Sequence, residues 1–159
     1  MSYDLTFLVK SDGQSWEDAL EALEERAEDE AGGGAPDGAA WERIVADARG
    51  LLGEVALHAE DGFFELDHEA TGIQVSLYDG EAAVTVPYWY AGERAEPVVR
   101  LIYQLGLSVE RHTGLAGYDG QVGMSVADAA GRPELAVSIF DQTARSFAGR
   151  GISSPSGDA

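Results

Sequence analysis

Between Ile73 and Val86 apolar and polar residues alternate, and the alternation changes phase across Asp79-Gly80. Asp-Gly between two β-rich runs predicts a hairpin closed by a two-residue type I′ turn, which needs φ > 0 at both positions. That loop sets the register. Tyr78 faces Glu81, Leu77 faces Ala82, Ser76 faces Ala83, Val75 faces Val84, Gln74 faces Thr85 and Ile73 faces Val86. Directly opposed residues share a sheet face. Ile73, Val75, Leu77, Ala82, Val84 and Val86 therefore form an apolar face. Gln74, Ser76, Tyr78, Glu81, Ala83 and Thr85 form a mostly polar one. A slip of one residue would mix the two. A sheet patterned this way calls for helices on one side.

The rest of the chain follows the same two periods. Tyr3, Leu5, Phe7 and Val9 alternate with polar residues apart from Leu8, and predict a first strand. Ser15 and Asp18 form a variant capping box. Trp16, Leu20, Leu23 and Ala27 then trace one stripe of an amphipathic helix. Gly32 to Pro36 breaks the chain, and Asp37 caps a second helix carrying Trp41, Ile44, Val45, Ala48, Leu51 and Leu52, ended by Gly50 or Gly53. Val55 to His58 has no clear period. Residues 63–68 read as a strand. Pro97 opens a long helix in which Val98, Ile102, Leu105, Val109 and His112 recur at helical spacing, with Gly114 as its stop. Leu115 to Tyr118 reads as a strand, and 119–123 as a turn. Pro133 opens a last helix with Leu135, Ile139, Phe140, Ala144 and Phe147 on one side. The expected class is α+β: an antiparallel sheet with helices packed mainly on one face, in the order β-α-α-β-β-β-α-β-α. Residues 1–148 are expected to form one globular domain and 149–159 a disordered tail.

Composition narrows the function more by exclusion than by assignment. The 159 residues contain no cysteine, which removes disulfides, thiolate-bound metal and thiol catalysis. The opening MSYDLTFLVKSDG has no basic region followed by a long apolar run, so no secretory signal is read there. No stretch reaches the length of a membrane span. The expected setting is the cytoplasm. The net charge of −19, with only ten Lys and Arg, argues against direct nucleic-acid or membrane binding; it reads as a solubilising surface or, alternatively, as an acidic face for a basic protein partner. An acidic mimic of nucleic acid is a further alternative. Eight acids and a single Arg lie between Glu17 and Glu30 on the first helix. Glu28-Asp29-Glu30 stand at the end where the helix dipole disfavours negative charge, so Glu24, Glu25 and Glu28 are candidate docking residues.

The opening Met1-Ser2-Tyr3-Asp4-Leu5 and the run Arg111 to Gly123, with Tyr118-Asp119-Gly120-Gln121 at its centre, resemble small uncharacterised bacterial proteins. Those proteins begin MSYDL and carry a segment of the form ETGL…YDPQ. This chain departs from it at Arg111-His112 and at Gly120, where proline is usual. The resemblance carries no established activity; it implies an immunity-type partner of a toxin.

Candidate chemistry is sparse. Glu65, Asp67 and Glu69 fall on one side of their predicted strand and His68 on the other, so no local metal site is expected. No phosphate loop, calcium loop, His-Glu-x-x-His or nucleophile elbow occurs. No catalytic residue, metal ligand or cofactor is assigned. After Pro87, Tyr88 should face the core, whereas Trp89 and Tyr90 have the composition of an interface hot spot. Two function classes remain. One is a non-catalytic binding or regulatory protein using Tyr88, Trp89, Tyr90 and the acidic helix. The other is a small enzyme or ligand binder with a pocket near His112 and Tyr118, to which Asp119 and Gln121 would contribute.

Overall fold

The computed structural model describes residues 2–29 and 35–149, with side chains omitted at 27–29 and 147–149. The chain runs β1 (Ser2–Leu8), α1 (Trp16–Asp29), α2 (Gly38–Leu52), β2 (Ala56–Glu60), β3 (Phe63–His68), β4 (Ile73–Tyr78) and β5 (Glu81–Pro87). A short 3-10 turn, Gly92–Arg94, leads into α3 (Ala95–Thr113), then β6 (Ala116–Asp119), β7 (Met124–Ser125), α4 (Val126–Ala130) and α5 (Pro133–Gly149). The fold is α+β. Glu30, the glycine run and residues 150–159 of the expected tail lie outside the described residues.

All seven strands join one antiparallel sheet in the order β2-β3-β4-β5-β1-β6-β7. The hairpin register is the predicted one from Tyr78↔Glu81 through Val75↔Val84 to Gln74↔Thr85. Gly80 takes φ 76°, the left-handed conformation that a primed turn requires. Local chemistry likewise sets the helix ends. Asp37 accepts from the Ala39 and Ala40 amides at 3.0 and 3.2 Å and starts α2. Ser15 Oγ accepts from the Asp18 amide at 3.1 Å and starts α1. Gly114, at φ 76°, stops α3.

One face of the sheet carries the main core. Tyr3, Leu5 and Phe7 of β1, Val75 and Leu77 of β4 and Val84 and Val86 of β5 are buried there beneath α3. From α3, the expected stripe of Val98, Ile102, Leu105 and Val109 is buried, each large aliphatic side chain contributing about 1.5–3 kcal/mol. Gly106 lets α3 come close: a Cβ there would stand 3.1 Å from Phe7 and Val126 and 3.3 Å from Leu5. α2 covers β3 on the same side, with Trp41 stacked on Phe64 at 5.6 Å. Ala136 and Phe140 dock α5, while Leu135, expected on that stripe, is exposed.

Four elements depart from the sequence reading. The stretch without a period becomes β2, an edge strand whose five residues are all exposed, so no burial alternation could mark it. β7 and α4 extend the expected turn after β6. Most consequentially, α1 packs on the opposite face from the other helices. Leu8, the apolar exception on the polar side of β1, is fully buried, and Ala19 of α1 is 1% exposed. Trp16 stacks on Tyr118 of β6 at 4.8 Å. The sheet is thus covered on one side and partly covered on the other.

Candidate functional site

Polar side chains converge in three places. The first is buried. Asp119 is 0% exposed, and its Oδ2 accepts from the hydroxyls of Tyr3 and Tyr103, each at 2.6 Å. Its Oδ1 accepts from the amides of Gln121 at 3.0 Å and Val122 at 3.4 Å. With its amide nitrogen turned inward, Gln121 also donates to the Asp4 carbonyl at 2.9 Å. Burial, and then the hydrogen bond to Asp119, push both phenols well above the usual tyrosine range. Every oxygen of the carboxylate is occupied. The network ties β1, α3 and the turn after β6 together and leaves nothing to offer a ligand. Two candidates, Asp119 and Gln121, are therefore structural. The two segments that carry the sequence resemblance meet here, since Tyr3 bonds Asp119.

The second place is an open groove of about 400 Å³ between α2 and α3, lined by Asp47, Leu51, Gln104, Ser108 and Arg111 among others. Asp47 Oδ2 accepts from Ser108 Oγ at 2.7 Å and from His112 Nε2 at 2.9 Å, and Arg111 stands 3.6 Å away. These bonds hold the Asp47 carboxyl below the usual carboxylate range, Ser108 contributing most. A nucleophile relay needs imidazole between hydroxyl and carboxylate. Here both donors end on the same carboxylate oxygen, so no imidazole stands between Ser108 and Asp47. The arrangement clamps α2 to α3. His112 and Tyr118 stand apart: His112 bonds Asp47 of α2, and Tyr118 lies under Trp16 on the other face of the sheet.

The third place is the face of the sheet that α1 leaves open. Alternation carries Asp4, Glu65, Asp67 and Glu81 onto it, and pairing of β2 with β3 adds His58 and Glu60. Among the described residues no strand contains a Lys or Arg. Among the described residues only Glu81 has a Lys or Arg acting on it, Arg26 of α1, which opposes the upward push of burial on that carboxyl. Phe63 and Tyr78 stack at 5.6 Å on this face, Tyr78 being 40% exposed. His58, opposite Glu65, brings a ring nitrogen to 3.8 Å from Asp67 Oδ2. Burial and the adjacent Asp67 raise the Glu65 carboxyl above its ordinary value.

The remaining candidates scatter. Tyr88 is half-buried against the core, edge-on to Tyr3 at 6.0 Å and to Phe140 at 5.2 Å. Trp89 is half-buried, close to Gly72, where an added Cβ would lie 3.0 Å from its ring. Tyr90 donates to the Thr71 carbonyl at 2.7 Å. Glu24 and Glu25 are exposed on α1, and Glu28 is in its last turn with its side chain outside the described residues. Trp89 stands at the Gly72 end of the hairpin and Arg26 of α1 at the Gly80 end. The length of a six-residue strand, roughly 20 Å, separates them. They do not form one patch. His68 lies away from the carboxylates, as expected, and hydrogen-bonds with Thr71 Oγ1 at 2.7 Å.

Sequence reasoning missed His58 as a partner of Glu65 and Asp67 because β2 has no periodic signal. It also missed the aromatic pair Phe63–Tyr78. The signal for the pair was available: Tyr78 is the one aromatic residue on the polar face of the predicted hairpin. Comparison with known proteins finds no matching family model, no similar curated protein and no similar solved structure. The fold and the open face therefore define the class on their own: an α+β protein with a half-covered, acidic antiparallel sheet. Among the described residues no helix is long and apolar enough to cross a membrane.

Proposed function

We propose that this protein is a non-catalytic binding protein whose open sheet face docks a Lys- and Arg-rich segment of a protein partner. One observation carries the reading: Glu60, Glu65 and Asp67 stand on the open part of the sheet, with Asp4 and Glu81 on the same face nearer α1, and among the described residues no strand supplies a Lys or Arg. Such a face focuses negative potential and speeds encounter with a basic surface. The Phe63–Tyr78 pair beside it supplies an aromatic anchor for a guanidinium or for apolar contact. An immunity-type inhibitor that covers a basic toxin is one protein that would use such a face, in keeping with the sequence resemblance.

The test is a titration of isotope-labelled protein with an arginine- and lysine-rich decapeptide, followed by amide chemical shifts. Shift changes should cluster on β2 to β5 and weaken as salt rises. Tyr78→Ala and the double variant Glu65→Gln/Asp67→Asn should each weaken binding about tenfold, by analogy with interface anchors. Changes that map to Glu17, Glu21, Glu24 and Glu25 of α1, or that spread evenly over the chain, would refute the assignment.

A further inference from the structure

We infer that His58, Glu65 and Asp67 form a binding site for a divalent transition-metal cation, zinc(II) being the best match to the donors. The inference does not rest on the proposed partner. Among the described residues this is the one group of three His, Asp or Glu side chains whose ligand atoms converge, all lying within 4.8 Å of one another. Sheet geometry produces the convergence. His58 on β2 is directly opposite Glu65 on β3, and Asp67 is two residues along the same strand on the same face.

The donors suit a borderline cation. One imidazole nitrogen and two carboxylates match zinc, which binds nitrogen and oxygen at about 2.0–2.2 Å, better than magnesium or calcium, which favour all-oxygen sets. Tetrahedral bonds of that length separate donors by about 3.3 Å. His58 Nε2 and Asp67 Oδ2 are 3.8 Å apart, and the His58 side chain is 63% exposed and able to draw in. The support behind the site is already built. Gln74 Nε2 donates to Asp67 Oδ1 at 2.9 Å, which holds that carboxylate with Oδ2 toward His58. A second-layer bond of this kind orients a ligand before metal arrives. Electrostatics favour a cation as well. Among the described residues neither Glu65 nor Asp67 pairs with a Lys or Arg, and the two like charges sit side by side. Three protein donors leave coordination positions open to solvent, as in exchangeable rather than structural sites.

The test is calorimetric titration of the full chain with zinc chloride, read beside the imidazole resonances of all three histidines. One saturable site per chain is expected, with only the His58 ring resonances shifting. His58→Ala and Glu65→Gln should each weaken binding about tenfold or more. His68→Ala, His112→Ala and the triple variant Glu21→Gln/Glu24→Gln/Glu25→Gln should leave it unchanged. Magnesium chloride should not compete. Absence of saturable binding, shifts at His68 or His112 instead, or full affinity in His58→Ala would each overturn the site. The ring resonances decide the question in the unmodified protein, whatever the variants do to folding. Loss of peptide docking with zinc binding intact would refute the proposed function alone.

Discussion

Asp119→Ala should be among the most damaging single changes in the chain. The carboxylate is fully buried and accepts two phenols at 2.6 Å and two turn amides at 3.0 and 3.4 Å. Removing it leaves the hydroxyls of Tyr3 and Tyr103, 3.4 Å apart, with only each other. One can donate to the other, so one buried O–H is left unmet, at about 1–3 kcal/mol. Loss of the two turn bonds, comparable to loss of a helix cap, adds about 1 kcal/mol. The total is about 2–4 kcal/mol, a large share of the 5–15 kcal/mol typical of a domain. Urea unfolding at neutral pH should move its midpoint down by about 1–2 M. The same network predicts non-additivity. With Tyr3→Phe and Tyr103→Phe already in place there is no hydroxyl to strand, so Asp119→Ala should cost about 1–3 kcal/mol less in that background. Alkaline titration adds an independent reading. Both phenols are raised in the fold, so the stability tied to their neutral form is complete below the unfolded tyrosine value near pH 10 and falls as pH climbs beyond it. Absorbance at 295 nm should show Tyr3 and Tyr103 ionising only with unfolding. A cost below about 1 kcal/mol for Asp119→Ala, or simple additivity in the tyrosine background, would refute the account.

Two further outcomes follow from other parts of the fold. Gly117→Ala should cost about 1–3 kcal/mol, because its Cβ would lie 2.6 Å from the Phe7 ring and 2.9 Å from Val126, whereas Gly120→Ala, 3.7 Å from Tyr118, should be nearly neutral; equal urea midpoints for the two would refute it. Asp47→Asn should destabilise at neutral pH by about 1 kcal/mol or less, the groove being solvated, and the gap should close as pH falls through the lowered carboxyl value, below the usual range near 4. A gap unchanged between neutral pH and pH 2 would mean that the charge of Asp47 does not clamp the helices.

What the sequence made legible was whatever local chemistry determines. Asp79-Gly80 specifies a turn, the turn specifies a register, and the register divides the residues of β4 and β5 between faces without help from the rest of the chain. The α3 stripe and its Gly114 stop were legible for the same reason, since a buried helix must repeat its apolar positions. β2 was not, because an edge strand exposed along its whole length, Ala56 to Glu60, buries nothing that could alternate. With β2 went His58. Reasoning along β3 alone tests only His68, which pleating puts on the wrong side, while the ring that meets Glu65 and Asp67 comes from a neighbouring strand with no periodic signal of its own. The burial of Asp119 was equally out of reach, because its partners Tyr3 and Tyr103 are 116 and 16 residues away in sequence.

Leu8 connects the remaining error to function. On a sheet with one bare face, an apolar residue among Asp4 and Thr6 has no reason to be there. On this sheet it is 0% exposed, on the face that α1 covers. That single position shows that the polar face is divided. The β1–β6 end is occupied by α1, and the Glu65–Asp67 end is left to solvent. The same division separates the acids of α1 from Trp89 at the far end of the hairpin. An interface built from Trp89 and Glu24 together would have to span the strand length between them. The residues that do lie together, His58, Glu65, Asp67, Phe63 and Tyr78, come from three adjacent strands held in register by the hairpin. Binding chemistry on this protein is therefore best sought where the hairpin fixes geometry and α1 stops, on the open part of the sheet.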